Sequence, residues 1–229
     1  MVSIPVWWQP DIPTWVALVL GALSLVVGLT GMVTALMVAT RRPKLKTDRV
    51  WFEPDTLERG FRRWHVSVLN EPTSGLSRWA ARETAVDAEG TIEFFRDGRA
   101  LEGEIIHGIW TERPRPLRDE LVVEARRATL IAGRPWNMPI ALKMKGQVIA
   151  HQFDHKNYRQ TGEFEGVPGR SLPEGDYAVR LTIHEGPRRW PFWFRLRNRT
   201  DEIGVFKLDG PYKQNPLKRG MDFPLTSIP

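Results

Sequence analysis

The stretch Ile12–Thr40, IPTWVALVLGALSLVVGLTGMVTALMVAT, is an apolar segment near the start of this chain of 229 residues, and the residues after it are rich in charge. None of its 29 residues is charged. A charge-free apolar segment of this length is typical of a transmembrane helix, because a bilayer core of about 30 Å needs roughly 20 apolar residues. Residues 1–11 contain no lysine or arginine, unlike the basic start of a cleaved signal peptide. We therefore predict a transmembrane helix at residues 12–40.

Small side chains recur at alternating spacings of three and four residues along this segment. This small-residue stripe consists of Thr14, Ala17, Gly21, Ser24, Gly28, Gly31 and Ala35. Helices associate in lipid where small side chains let their backbones come close. The stripe predicts left-handed, low-angle packing on another membrane helix, from a second copy or from a different protein. The alternative is that it reflects only the general richness of membrane helices in small residues, since Ala22 and Thr34 lie off it.

A basic flank at residues 41–46 follows the apolar segment. Its positive residues are Arg41, Arg42, Lys44 and Lys46. Positive flanks stay in the cytoplasm, so we predict a single-pass protein of the cell membrane with residues 1–11 outside and the C-terminal domain inside. The flank can also attract lipid headgroups. Three tryptophans fit the aromatic belt of the outer interface: Trp7, Trp8 and Trp15.

Composition narrows the possible partners. The formal net charge is +6, and most of the excess lies in the basic flank and in residues 211–229. A nucleic-acid-binding domain would carry its basic residues on the domain itself, so we do not expect nucleic acid as a partner. The chain has no cysteine, which excludes disulfide bonds and thiolate metal sites. We expect no cofactor and no metal.

Residues 47–210 show short alternating segments separated by turn residues, which predicts an all-β domain. The strongest signal is a hairpin in which Tyr177–Ile183 and Trp190–Leu196 alternate around a turn at Glu185–Arg188. A second hairpin is predicted between Ile140 and Phe153. The favoured architecture is an immunoglobulin-like sandwich. The alternative is two small β-domains divided near residues 114–117.

The remaining segments are less regular. We predict strands at Trp64–Val68, Ile105–Trp110 and Ile203–Leu208, and an extended segment at 81–95 with a turn at Asp87–Gly90. Residues 117–128 fit either a helix or the approach to a strand. Residues 211–229 contain four prolines and little periodicity, which predicts an extended or disordered tail.

The second strand of the strong hairpin has an unusual outer face. Its alternation places these residues outside: Arg189, Trp193, Arg195, Arg197 and Arg199. Arginine and tryptophan are enriched at binding hot spots, so this face could dock on an acidic protein surface or on lipid headgroups. The alternative is that neighbouring strands supply Asp and Glu across the sheet.

Candidate metal and catalytic residues are sparse. His151, Asp154 and His155 form an H-x-x-D-H cluster, but positions four apart on a strand are separated by about 13 Å and do not converge on a metal. No nucleophile elbow, phosphate-binding loop or zinc spacing is present. Other candidates have no visible partner or are ordinary features of a strand face: His107, His184, Glu102, Glu104, Glu163 and Glu165. Asn198-Arg199-Thr200 matches a glycosylation sequon, which would be inert in the cytoplasm.

These observations favour a non-catalytic, single-pass membrane protein. In this interpretation it is a subunit or scaffold of a membrane assembly, with a cytoplasmic β-sandwich as a docking module. The alternative is a regulated membrane effector, whose cytoplasmic domain senses a ligand or partner and whose helix self-associates to perturb the membrane. An anchored enzyme with an unrecognised site is a weaker third option.

Overall fold

A computed structural model describes most of the chain outside the first twelve residues and the last twelve. The described residues are 13–54, 61–74, 82–101, 105–112, 126–144, 147–153, 170–199 and 206–217. The chain divides into two compact units. One comprises Met1–Arg42 and Thr73–Arg82, and the other Pro43–Pro72 and Glu83–Pro229. The first unit contains a long helix, and the second contains the β-strands.

The helix α1 spans Thr14–Arg41, which confirms the predicted N-terminal apolar helix. Pro13 immediately precedes it, and the carbonyl of Pro13 accepts the N–H of Val16 at 2.8 Å. Within this helix, the 25 residues Trp15–Ala39 are apolar enough to cross a membrane. At about 1.5 Å per residue they extend roughly 37 Å, which exceeds a bilayer core of about 30 Å.

Twelve strands are present in the described part of the chain. In order they are β1 (Leu45–Pro54), β2 (Phe61–Asn70), β3 (Ala85–Arg96), β4 (Arg99–Ala100), β5 (Ile106–His107), β6 (Arg127–Leu130), β7 (Pro135–Met144), β8 (Ala150–Gln152), β9 (Ser171–Leu172), β10 (Gly175–Glu185), β11 (Arg188–Asn198) and β12 (Phe206–Tyr212). They form a five-stranded sheet of order β1-β2-β7-β8-β9 and a seven-stranded sheet of order β12-β11-β10-β3-β4. Strands β5 and β6 also pair with β3. All these strand pairs are antiparallel.

One hydrophobic core draws side chains from both sheets. The five-stranded sheet contributes Val66 and Val68, while the other contributes Ile92, Val179 and Phe194. The predicted strong hairpin is confirmed as β10 and β11, in which Tyr177 pairs with Leu196 and Ile183 with Trp190. The alternation along these strands therefore reports correctly which side chains enter the core.

Two buried asparagines connect the sheets at opposite ends. Asn70, at the end of β2, donates from Nδ2 to the carbonyls of Glu83 at 2.8 Å and Leu130 at 3.1 Å. Asn198, at the end of β11, donates to the carbonyl of Leu172 at 2.8 Å and accepts a bond of 2.7 Å from the buried Lys143 ammonium. These polar bridges satisfy backbone groups where the alternating apolar pattern stops.

Two predicted features of the irregular region were wrong. Strand β3 runs without a turn through Asp87–Gly90. Asp87 instead lies at a register shift against β6 and has a positive φ of 52°. The strand predicted at Ile105–Trp110 is limited to Ile106–His107. The buried Trp110 follows, and its Nε1 donates to the carbonyl of Ala88 at 3.0 Å, which holds this segment without a strand ladder.

The first residues of the predicted tail belong to the last strand of the β-domain. Strand β12 continues to Tyr212, and Asn215 is buried beyond it. Residues 218–229 of that tail lie outside the described residues. In the ambiguous segment 117–128, residues 117–125 are outside the description, and Arg127–Leu130 forms β6.

Candidate membrane and docking surfaces

The helix α1 presents apolar side chains to the outside around its whole circumference. Leu18, Val27 and Met32 are 70%, 69% and 71% exposed. A helix that is apolar on every side is a membrane span or the core of a large protein, and none of the span is buried. The two threonines in its middle bond within the helix, from Thr30 Oγ1 to the Val26 carbonyl and from Thr34 Oγ1 to the Thr30 carbonyl. This surface therefore suits lipid or another apolar helix.

The small-residue stripe is open. Ala17, Gly21, Ser24, Gly28, Gly31 and Ala35 are all exposed. A Cβ atom added to any of the three stripe glycines would meet nothing within 4 Å. The side chain of Thr14 and the tryptophans Trp7 and Trp8 lie outside the description, whereas Trp15 is 67% exposed at the start of the helix.

The basic flank is partly neutralised by one carboxylate. Glu71 Oε2 lies 2.8 Å from Lys44 Nζ, and Glu71 Oε1 lies 3.0 Å from Lys46 Nζ. Hydrogen bonds from these two lysines lower the pKa of Glu71 to about 2. Sequence reasoning missed this acid because it follows β2, which the pairing of Leu45 with Asn70 brings beside the flank. Both Arg41 and Arg42 are exposed.

The flank is fixed to the β-domain from Lys44 onward. The backbone N–H of Lys44 donates to Asn70 Oδ1 at 3.1 Å, and the N–H of Glu71 donates to the Lys44 carbonyl at 2.9 Å. Strand β1 begins at the next residue, Leu45. Only Arg42 and Pro43 therefore separate the last helical residue from Lys44, whose backbone N–H is bound by Asn70.

The arginines predicted to form a docking face meet acidic side chains across the sheet. Arg195 lies 2.6 Å from Asp176 on β10, and Arg199 lies 3.5 Å from the same carboxylate. Arg197 pairs with Asp209 on β12. These contacts are those of the alternative, in which neighbouring strands supply the acids. Arg189 and Arg199 remain exposed at the two ends of the strand.

Trp193, predicted to be exposed, is half-buried in a cluster with Phe95 and Arg180. Its ring centroid is 5.4 Å from that of Phe95, and the Arg180 guanidinium lies over both rings at 5.5 and 5.3 Å. Arg180 also binds Glu93 through two hydrogen bonds, of 2.8 and 2.7 Å. Sequence reasoning missed Arg180 and Glu93 because only the register of β3, β10 and β11 places them beside Trp193. The result is a charged face on which Trp193 and Arg180 contact side chains from neighbouring strands.

A buried histidine on the outer face of the five-stranded sheet also escaped the sequence analysis. His65 is 1% exposed, and its Nε2 lies 2.7 Å from Glu53 Oε2. Its ring stacks on Trp51 with centroids 4.4 Å apart. Burial lowers the pKa of His65, although Glu53 acts in the opposite direction. The His65 ring is buried, whereas the Glu53 side chain is 36% exposed, so only the carboxylate of this pair reaches the surface.

Asn137 completes this network. Its Oδ1 accepts bonds from Trp51 Nε1 at 3.0 Å and from the Ser67 hydroxyl, and its Nδ2 donates to Glu112. These contacts join β1, β2 and β7, because the three strands present alternate residues to the same face. The alternating polar positions on β1 and β2 were the one feature of the sequence that could have predicted this network.

Within the described residues, the remaining histidines are not grouped with other metal ligands. His151 is buried, which lowers its pKa, while Asp154 and His155 lie outside the described residues. His184 Nε2 lies 2.9 Å from the Thr91 hydroxyl, a partner that the sequence did not reveal. Across the described ranges, no three His, Asp or Glu side chains are grouped to hold a metal ion. The paired glutamates of the sequence analysis are outside those ranges: Glu102, Glu104, Glu163 and Glu165.

The glycosylation sequon begins at a core residue. Asn198 is fully buried, and its Nδ2 lies within 3.2 Å of the carbonyls of Val148, Leu172 and Pro173. Because this nitrogen would carry the glycan, the folded domain cannot accept one here, whatever its compartment.

Comparison with models of known protein families found no match, and comparison with curated protein sequences found none either.

Proposed function

We propose that this chain is a non-catalytic, single-pass protein of the cell membrane, with its N-terminus outside and its β-domain in the cytoplasm. It serves as a subunit or scaffold of a membrane assembly. The observation that carries the proposal is the helix Thr14–Arg41, whose span is apolar and exposed on every side. Its basic end at Arg41 and Arg42 supports the orientation, because positive flanks remain in the cytoplasm.

The helix packs through its small-residue stripe on another membrane helix. Supporting this, an added Cβ at Gly21, Gly28 or Gly31 meets nothing within 4 Å, so a partner backbone can approach closely at all three positions. Close approach compensates in lipid for the absence of a hydrophobic driving force between helices.

The β-domain is an immunoglobulin-like sandwich that acts as a docking module. Two antiparallel sheets sharing one core support this architecture. So does the buried Tyr177, whose hydroxyl donates to the Pro173 carbonyl four residues upstream at 2.6 Å, as in the tyrosine corner of such folds. The absence of cysteine means that the inter-sheet disulfide of antibody domains is missing.

The docking partner is an acidic protein surface. The outer face of β11 and β12 keeps two cationic side chains more than half exposed, Arg199 at 54% and Lys207 at 53%, although both contact acids. Trp193 lies half-buried on this same face. Tryptophan and arginine are enriched at binding hot spots, and this face carries both.

Affinity purification from native membranes in mild detergent tests this function. Gly28→Leu and Gly31→Leu place branched side chains on the stripe, and both should reduce recovery of the partner while membrane levels stay normal. Ala22→Leu is the matched control, since it adds the same side chain on the opposite side of the helix, and Leu25→Ala is a second control.

Normal recovery with both glycine variants would refute packing through the stripe. Recovery of only further copies of this chain would favour the effector alternative, in which the helix self-associates. Recovery of a different membrane protein would support the subunit or scaffold function.

A further inference from the structure

The end of the β-domain that receives the chain from the helix is held by several elements close together. Asn70 binds the backbone of Lys44 and the carbonyl of Leu130, and the N–H of Gly133 donates to the Asn70 carbonyl at 2.9 Å. The turn Ile131–Arg134 therefore lies directly beside the residue at which the chain enters the domain. The N–H of Arg134 closes this turn by donating to the Ile131 carbonyl at 3.3 Å.

We propose that the Ile131–Arg134 turn contacts the membrane, with Ile131 entering the headgroup layer and Arg134 binding anionic lipid. This inference rests on the proposed membrane span. It adds a second membrane contact, made by the β-domain itself, to the basic flank that follows the helix.

The short connection supports this placement. Lys44 is three residues beyond Arg41, and a chain extends at most about 3.6 Å per residue. The connection can therefore reach only about 11 Å, which is comparable with a headgroup layer of roughly 5 to 8 Å on each side of the core. The domain cannot move far from the membrane while Lys44 stays bound to Asn70.

The chemistry of the turn suits a lipid surface. Ile131 is 48% exposed and Val86 is 55% exposed. The two residues are near each other because the residues that precede them, Leu130 and Ala85, are paired. The Arg134 guanidinium lies 5.5 Å from the Trp136 ring centroid, on the exposed side of the turn. An apolar side chain beside a cation is typical of segments that rest at a membrane interface. Glu71 offsets part of the charge of the neighbouring lysines in the basic flank. Ile131 is therefore a more informative position to test than these lysines.

The opposite end of the domain provides a matched control. Val148 is 49% exposed, almost the same as Ile131, so the two differ in position rather than in exposure. It lies past the far end of β7, which begins at Pro135 and contains 10 residues. At about 3.3 Å per residue, that strand places Val148 roughly 30 Å from the turn.

Site-specific labelling of the full chain tests the contact, since the absence of cysteine allows single thiols to be introduced. Leu25→Cys, Ile131→Cys and Val148→Cys are each labelled with an environment-sensitive fluorophore. The proteins are reconstituted into phosphatidylcholine and phosphatidylserine vesicles that contain a quencher-labelled lipid. We expect strong quenching at positions 25 and 131 and little at 148. Without phosphatidylserine, quenching at 131 should fall about twofold.

Each contrary result has a distinct meaning. Quenching at 25 but not at 131 would overturn the turn contact and leave the membrane span intact. Equal quenching at 131 and 148 would also overturn it, because the membrane would then contact both ends of the domain rather than the turn specifically. Quenching at 131 that does not depend on phosphatidylserine would overturn the role of anionic lipid. An unquenched label at 25 would refute the proposed span itself.

Discussion

Asn198→Ala should be one of the most damaging single substitutions in the β-domain. Asn198 is fully buried, and its side chain bonds to carbonyls on the five-stranded sheet and to the ammonium of Lys143. Alanine would leave the Leu172 carbonyl without this donor and would remove the acceptor 2.7 Å from a lysine that is 7% exposed.

The magnitude follows from these contacts. An unpaired buried carbonyl costs about 1–3 kcal/mol, and a hydrogen bond to a charged group contributes about 1.5–3 kcal/mol. Together with the weaker bonds, Asn198→Ala should cost roughly 3–6 kcal/mol, out of a typical total stability of about 5–15 kcal/mol. For a domain of this size, that corresponds to a decrease in melting temperature of about 6–24 °C.

Thermal unfolding of the full chain in mild detergent, followed by tryptophan fluorescence, measures this decrease. Asn215→Ala is the matched control, because Asn215 is also buried but its Oδ1 accepts a local bond of 2.9 Å from the Leu217 N–H. That variant should cost about 1 kcal/mol. If the two variants melt at the same temperature, the proposed bridge between the sheets does not hold them together.

Two further substitutions test the buried histidine and a strained glycine. Burial lowers the pKa of His65, so as the pH falls the unfolded chain binds a proton before the folded chain does. The free energy of unfolding should therefore decrease below about pH 6.5. His65→Gln should make that decrease smaller, which urea unfolding at pH 8 and pH 5.5 measures. Gly210 has a φ of 139°, and an added Cβ would lie 3.0 Å from the Trp193 carbonyl oxygen, so Gly210→Ala should cost about 1–3 kcal/mol in the same assay. Gly98→Ala, at φ 78° with nothing within 4 Å, should cost less; an equal loss would contradict the steric argument.

Local patterns in the sequence predicted the elements that depend on near neighbours. The apolar run predicted the helix, and strict alternation with a turn at Glu185–Arg188 predicted the β10–β11 hairpin. Both succeed because a helix surface and a two-stranded ladder are determined by residues close in the chain.

The pairing of distant strands could not be predicted in the same way. Glu71 lies beside Lys44 only because β1 and β2 pair, and Glu93 reaches Arg180 only through the register of β3 with β10. Alternation assigns side chains to a face but does not say which strand lies alongside. The false turn at Asp87–Gly90 has a related cause, because Asp and Gly also occur at bulges within a strand.

The most direct test of the account is the position of the β-domain relative to the membrane. Val148→Cys places a single exposed thiol in a chain without cysteine. In intact cells, an impermeant maleimide should fail to label this variant and should label it after permeabilisation, while the protein stays in the membrane pellet after alkaline carbonate extraction. Labelling in intact cells would contradict the cytoplasmic location, and release by carbonate would contradict the membrane span.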